Sequence, residues 1–180
     1  MARPSAEARL ALEHLKDTVI DLMLDMPIWH DAPVESLRQI PLGVLRKNAT
    51  QRHGVTRWRR GVDLDAMQVS DVEVIDLHPQ LLDAQWSAYA AFVLHHEYIH
   101  ALGFRAHDST FRRLEAAWPG RAAARHANEF TEALRRARAM WLWVCNECER
   151  TYPRQKPSNG RYRCRTCRTV LIDRLNPDRV

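Results

Sequence analysis

The chain has 180 residues, 46% of them hydrophobic, with six tryptophans and a formal net charge of +5. That suits one main domain with a real core plus a small appendage, and internal repeats and low-complexity tracts are absent. No uncharged run approaches the roughly 18 residues a membrane span needs. The first stretch, studded with Glu7, Arg9, Glu13, Lys16, Asp17 and Asp21, also lacks the apolar centre of a signal peptide. The expectation is therefore a cytoplasmic protein with no membrane partner.

Leu12, Leu15, Val19, Leu22, Met23 and Met26 recur at three- and four-residue steps and predict a helix over 6–26, broken by Pro27. Between Ile40 and Leu77 the periodicity shortens, and Val, Ile, Trp and Thr alternate between Gly43, Gly54 and Gly61. Strands are expected near 42–46, 55–59 and 72–77, forming a small sheet. A helix over about 83–102 follows, then a short one over 109–118 ended by Pro119 and Gly120. A longer helix is expected over about 122–141. The fold class is α+β.

The helix over 83–102 holds the most informative residues, His96-Glu97-Tyr98-Ile99-His100, inside an otherwise apolar run. Histidines four apart lie about 40° apart around a helix and one turn along it, so both rings can reach one ion. Glu97 projects beside them, where it can hold a water that the ion polarises. This HExxH spacing points to metal-assisted hydrolysis with zinc on His96 and His100 and Glu97 as general base. The surrounding Ala88, Ala91, Phe92, Leu94, Ile99 and Leu102 argue against a solvated face, where such a pattern would be ordinary surface. His95 is rotated about 100° away and reads as a satisfied core histidine or a partner to a ligand.

A catalytic zinc keeps three protein ligands and an open position. His107 is the best third candidate, but on a continuous helix it would sit roughly 10 Å too far along the axis. The helix must stop and the chain double back, for which Gly103 is placed; Asp108 or Ser109 can then cap the next helix, with Phe111 and Leu114 inward. Glu115 and Glu129 are the substitute third ligands. Tyr98, His95 and Arg105 are the nearby candidates for stabilising an oxyanion.

The four cysteines fall as Cys145, Cys148, Cys164 and Cys167, two CxxC pairs separated by fifteen residues. That is the spacing of a four-cysteine structural zinc site, and two disulfides would require an oxidising compartment. A domain at 1–142 and a zinc ribbon at 143–180 follow, with two zinc ions per chain, one catalytic and one structural. Residues 145–180 carry nine basic and four acidic side chains while the rest of the chain balances, so the whole excess charge sits on the ribbon. There Arg154, Lys156, Arg161, Arg163, Arg165 and Arg168 interleave with Tyr152 and Tyr162. Cations for phosphates beside aromatic faces for bases suit nucleic acid. Arg135, Arg136 and Arg138 extend that patch or face water.

The order of helix, small sheet, His96-Glu97-Tyr98-Ile99-His100, His107-Asp108-Ser109-Thr110-Phe111 and the four cysteines resembles the SprT-like zinc metallopeptidases over nearly the whole chain. The resemblance implies a zincin-like, minimal metallopeptidase core with zinc on His96, His100 and His107 and Glu97 as general base. It also implies a protein substrate, since members related to Spartan cleave proteins crosslinked to DNA and are activated by DNA. A DNA-binding ribbon would bring a cytoplasmic enzyme to the nucleoid. The seven-residue step from His100 to His107 comes closer to the related WLM peptidases, and Ala106 stands where a metzincin would place its third histidine. The alternative is a nucleic-acid-binding zinc-ribbon protein whose second zinc is structural and non-catalytic. A third is an adaptor that grips another protein through the ribbon.

Overall fold

In a computed structural model of the chain, residues 3–63 and 66–178 are described. The first helix, α1 (Ala6–Leu24), begins where the Ser5 side chain accepts a hydrogen bond from the Ala8 amide at 3.1 Å. It stops short of Met26 because Pro27 disfavours helical geometry in the residue before it. Leu12, Val19, Ile20 and Met23 form its buried stripe.

Three strands form the first sheet: β1 (Leu42–Val44), β2 (Gly54–Trp58) and β3 (Val72–Leu77). The order is β1-β3-β2, with β3 parallel to β1 and antiparallel to β2. Central β3 is buried at every position but Glu73, as expected for a strand covered on both faces. Its buried Asp76 is matched by Arg57 of β2 at 2.6 Å, which offsets the cost of removing a carboxylate from water. β2 is an edge strand and irregular between Arg57 and Trp58.

Helix α2 (Ser87–Ala101) starts later than the periodicity predicts. Two 3₁₀ turns, Pro79–Leu82 and Ala84–Trp86, precede it and meet at Asp83, whose backbone is extended. The helix packs against α1, β2 and β3, and burial of Tyr89, Val93, Leu94, Tyr98 and Ile99 on several faces makes it a core element. Gly103, at φ +101°, reverses the chain. Its amide reaches the His100 carbonyl while the Phe104 amide reaches that of Ile99, the paired bonds of a Schellman cap. The next helix, α3 (Ser109–Ala116), is capped by Asp108, which accepts from the Phe111 amide at 2.9 Å.

The single long helix expected over 122–141 is not what the chain forms. A 3₁₀ turn, Arg121–Arg125, leads into α4 (His126–Arg138), and Trp141–Val144 is a strand, β4. Two effects decide this. Asn176 Nδ2 binds the carbonyls of Arg136 at 2.7 Å and Ala139 at 2.9 Å, and Trp-Leu-Trp-Val gains sheet partners on both sides. Those partners are β5 (Thr151–Arg154) and β6 (Ile172–Leu175), in the antiparallel order β5-β4-β6.

The chain divides into two compact units, one ending at Ala127 and one starting at Asn128. The boundary expected at 142/143 from the cysteine spacing lies within β4, and the second compact unit also takes in most of α4. Within that unit Trp143, Leu171, Cys145 and Cys164 form a small core. Among the described residues no helix is long and apolar enough to cross a membrane.

Candidate metal centres

His96 and His100 project from α2, and His107 comes from the loop that Gly103 turns back. His107 Nε2 lies 3.3 Å from His96 Nε2 and 3.1 Å from His100 Nε2. A tetrahedral zinc with bonds of about 2.05 Å spaces its nitrogen ligands about 3.3 Å apart. The other ring nitrogens explain why lone pairs converge. His100 Nδ1 faces the Phe104 carbonyl oxygen at 2.8 Å and His96 Nδ1 faces Glu115 Oε1 at 2.6 Å. A carbonyl or a carboxylate can only accept, so each Nδ1 carries the proton and each Nε2 offers a lone pair. Burial holds the His100 pKa down to about 4, which keeps that ring neutral. His107 Nε2 lies within hydrogen-bond distance of both of those Nε2 atoms, and in the tautomer that leaves it unprotonated it adds a third lone pair. Three lone pairs at this spacing fit a zinc ion.

Phe111 supports all three rings, with centroids 4.9, 4.7 and 4.6 Å from those of His96, His100 and His107. Of the two substitute ligands, neither Glu115 nor Glu129 belongs to the donor group. Instead Glu115 pairs with the outer nitrogen of His96, which holds its carboxyl below the usual range. His95 is fully buried, stacked on Trp118 at 4.7 Å and edge-on to Trp29. Neither of its ring nitrogens has a hydrogen-bond partner among the described residues, so it is a core residue but not a satisfied one. Burial depresses its pKa to about 3 and leaves it neutral.

Glu97 is nearly buried, and burial pushes its carboxyl above the ordinary range while Thr56 opposes the shift. Thr56 Oγ1 donates to Glu97 Oε2 at 2.7 Å and also lies 3.1 Å from the Glu97 backbone oxygen. Beside it a Cβ on Gly54 would stand 2.7 Å from Glu97 Oε1 and 2.9 Å from Val93 Cγ1. Only glycine lets β2 approach this closely. Thr56 and Gly54 are functional neighbours that the sequence presents as ordinary strand and turn residues. His96, Glu97, His100 and His107 line a cleft of about 390 Å³ with Gly54, Val55, Thr56, Trp58, Arg52 and Arg105. Of the three oxyanion candidates only Arg105 reaches it; Tyr98 and His95 are fully buried in the core.

The four cysteines also converge. Sulfur separations are 3.9 Å for Cys145–Cys167, 3.6 Å for Cys148–Cys164 and 3.9 Å for Cys164–Cys167. Tetrahedral zinc–thiolate bonds of about 2.3 Å predict about 3.8 Å. Each pair sits in the same turn. Cys145 N bonds Arg150 O and Glu149 N bonds Cys145 O, while Cys164 N bonds Thr169 O and Arg168 N bonds Cys164 O. Glu149 and Arg168 follow their pairs at φ 57° and 63°, the left-handed conformation that closes each turn. The Cys167 amide and the Tyr152 hydroxyl hold the Cys164 thiol down to about 5, while the neighbouring sulfurs, Cys148 first, push that of Cys167 up. Both donor groups are consistent with zinc.

Over 105 residues the chain is 27% identical to Protein SprT-like of Streptococcus equi subsp. zooepidemicus (strain H70), covering 54% of this chain and 68% of that protein. The likeness supports SprT-like family membership. No family model matches, and no solved structure matches at the same stringency.

All six basic residues singled out in the second unit, Arg154, Lys156, Arg161, Arg163, Arg165 and Arg168, are exposed. Arg154, Lys156 and Arg161 border a hollow of about 490 Å³ with Trp143 and Tyr162, whose rings stack at 4.5 Å. Arg154 and Arg165 border another of about 620 Å³ with Arg135, Arg136 and Arg150. Arg154 also lies over the Trp143 ring at 5.0 Å and belongs to both hollows. Arg163 and Arg168 line neither.

Proposed function

We propose that the chain is a zinc-dependent endopeptidase of the SprT type, with a zincin-like core and a separate zinc ribbon that binds DNA. The observation that carries the reading is the convergence of His96, His100 and His107 Nε2 at tetrahedral spacing, beside buried Glu97, in an open cleft. The curated relative's name supports the same class. His96, His100 and His107 would hold the catalytic zinc, and Cys145, Cys148, Cys164 and Cys167 a structural one. When bound, the catalytic ion supplies Lewis acidity, lowering the pKa of water toward about 7 and polarising a carbonyl.

The rest is done by the chain. Glu97 accepts the proton of the attacking water and later returns it to the leaving amine nitrogen. Thr56 holds Oε2 through a 2.7 Å hydrogen bond, leaving Oε1 as the oxygen that would take that proton. Arg105 and Arg52, both on the cleft wall, are the cations that would meet negative charge on the carbonyl oxygen. The edge position of β2 leaves a strand beside the cleft against which an extended substrate can lie. On the ribbon, the Trp143–Tyr162 stack offers a face for a base, and the arginine-lined hollow that shares Arg154 offers charges for phosphates. DNA-bound proteins are then the substrates that both units can engage.

The alternative, a nucleic-acid-binding protein with a structural second zinc, needs a fourth protein ligand at the histidines. Among the described residues no further His, Cys, Asp or Glu joins that donor group. The decisive experiment incubates the zinc-loaded protein with a DNA-binding substrate, with and without single-stranded DNA, beside Glu97→Gln. Cleavage that falls by about 10²–10⁴-fold in Glu97→Gln, with zinc content unchanged, is the expected result. An active Gln variant refutes the role of Glu97. Cleavage by neither protein returns the chain to the binding class.

A further inference from the structure

We propose that Glu115 is the positioning residue for the zinc site, holding His96 in the tautomer and orientation that present Nε2 to the ion. The inference rests on the histidine-site reading above and adds a residue to it. Glu115 Oε1 meets His96 Nδ1 at 2.6 Å, from a helix nineteen residues downstream. That contact places the acceptor on the far side of the ring from the donor group of His96, His100 and His107, so Glu115 acts through His96 rather than as a ligand.

His96 and His100 solve the same problem by different means. His100 takes its acceptor from the Phe104 carbonyl, at 2.8 Å, a group supplied by the cap that ends α2. No side-chain substitution removes it. His96 has no such carbonyl to use, because it lies one turn inside the helix, where backbone oxygens are committed to the helix's own bonds. Its acceptor has to come from another element. A carboxylate there also raises the basicity of the ring more than a neutral carbonyl does.

Helix α3 is built around that task. Asp108, immediately after His107, caps its first turn. Phe111 lies against all three imidazoles, and Glu115 follows it by four residues, on the same face. Buried Leu114 seats the helix. One eight-residue segment thus anchors the loop ligand, supports the rings and orients the most distant helix ligand.

The test uses the full chain and measures zinc affinity of the histidine site by chelator competition. Occupancy of the cysteine site is followed in parallel through thiolate-to-metal absorption after cobalt loading. Glu115→Ala is expected to weaken the histidine site by about 10–100-fold while the cysteine site is unchanged. Glu115→Gln, which keeps an acceptor without the charge, falls between the two. ¹⁵N-histidine spectra of the metal-free protein should find the His96 proton on Nδ1 in the parent and in Glu115→Gln, and lose that preference in Glu115→Ala. An unaltered helical far-UV signal separates lost orientation from lost folding.

Zinc affinity within twofold of the parent in Glu115→Ala overturns the proposal. So does complete loss of zinc in Glu115→Ala with retention in His107→Ala, which would make Glu115 a ligand. Affinity and tautomer are read without turnover. A parent protein that binds zinc but cleaves nothing would therefore sink the peptidase reading and leave this one standing.

Discussion

Around the cysteines the chain supplies four donors, two of them fully buried, from two turns with the same internal bonds. Around the histidines it supplies three, one of them exposed, from a helix and the loop that follows it. With four donors the first group could fill every position of a tetrahedral ion, and the local backbone shapes each pair. The second, with three donors, would leave one position of such an ion open, and it borders a cleft and depends on distant parts of the fold for its surroundings. Thr56 comes from β2, Gly54 clears the space, and Glu115 comes from α3. Closed thiolate sites hold structure; open histidine sites hold a reactant.

Four substitutions break or sharpen that contrast. The largest effect is expected for Cys145→Ser, which should abolish metal binding at the cysteines and unfold the β4–β5–β6 sheet cooperatively if, as in other four-cysteine sites, binding there drives folding. Zinc content and Trp143 fluorescence read it, and histidine-site affinity should not change. A variant that kept both ions would erase the distinction. Thr56→Val deletes the 2.7 Å bond to Glu97. Losing a hydrogen bond to a charged group is worth about 1.5–3 kcal/mol, so kcat should fall by about 10–100-fold with zinc content unchanged.

Gly54→Ala forces a Cβ to within 2.7 Å of Glu97 Oε1. Overpacking of this kind costs about 1–3 kcal/mol, visible as a lower Tm of the first unit together with slower turnover. An alanine variant with parent-like Tm and kcat would mean that β2 gives way freely. The smallest expected effect is a gain. Glu149 holds φ 57° in the first cysteine turn, and Glu149→Gly should stabilise that unit by about 1 kcal/mol without altering zinc affinity at the histidines.

Much of the first unit is legible from one-dimensional pattern. The α1 stripe, the positions of β1, β2 and β3, and the need for a reversal at Gly103 all follow from local periodicity or from the length of a helical turn. The stretch 122–141 shows where this fails. Its apolar residues suit either a helix or a strand, and what chooses is Asn176, thirty-seven residues beyond Ala139, together with two sheet neighbours. Charge behaves the same way. Composition locates the basic excess in residues 145–180, yet only the fold sorts Arg154 and Arg165 into one hollow with Arg135, Arg136 and Arg150, and leaves Arg163 and Arg168 outside it.

By itself the sequence pointed to the residues that can bind metal, because four-residue steps on a helix and CxxC turns bring donors together in pairs; the fold then joined His107 to one pair and the two cysteine pairs to each other. The tertiary structure decided what surrounds those donors: the carboxylate behind His96, the hydroxyl on Glu97, and the missing side chain at Gly54. Those contacts join residues far apart along the chain. Burial and packing set them, and no local spacing encodes either one.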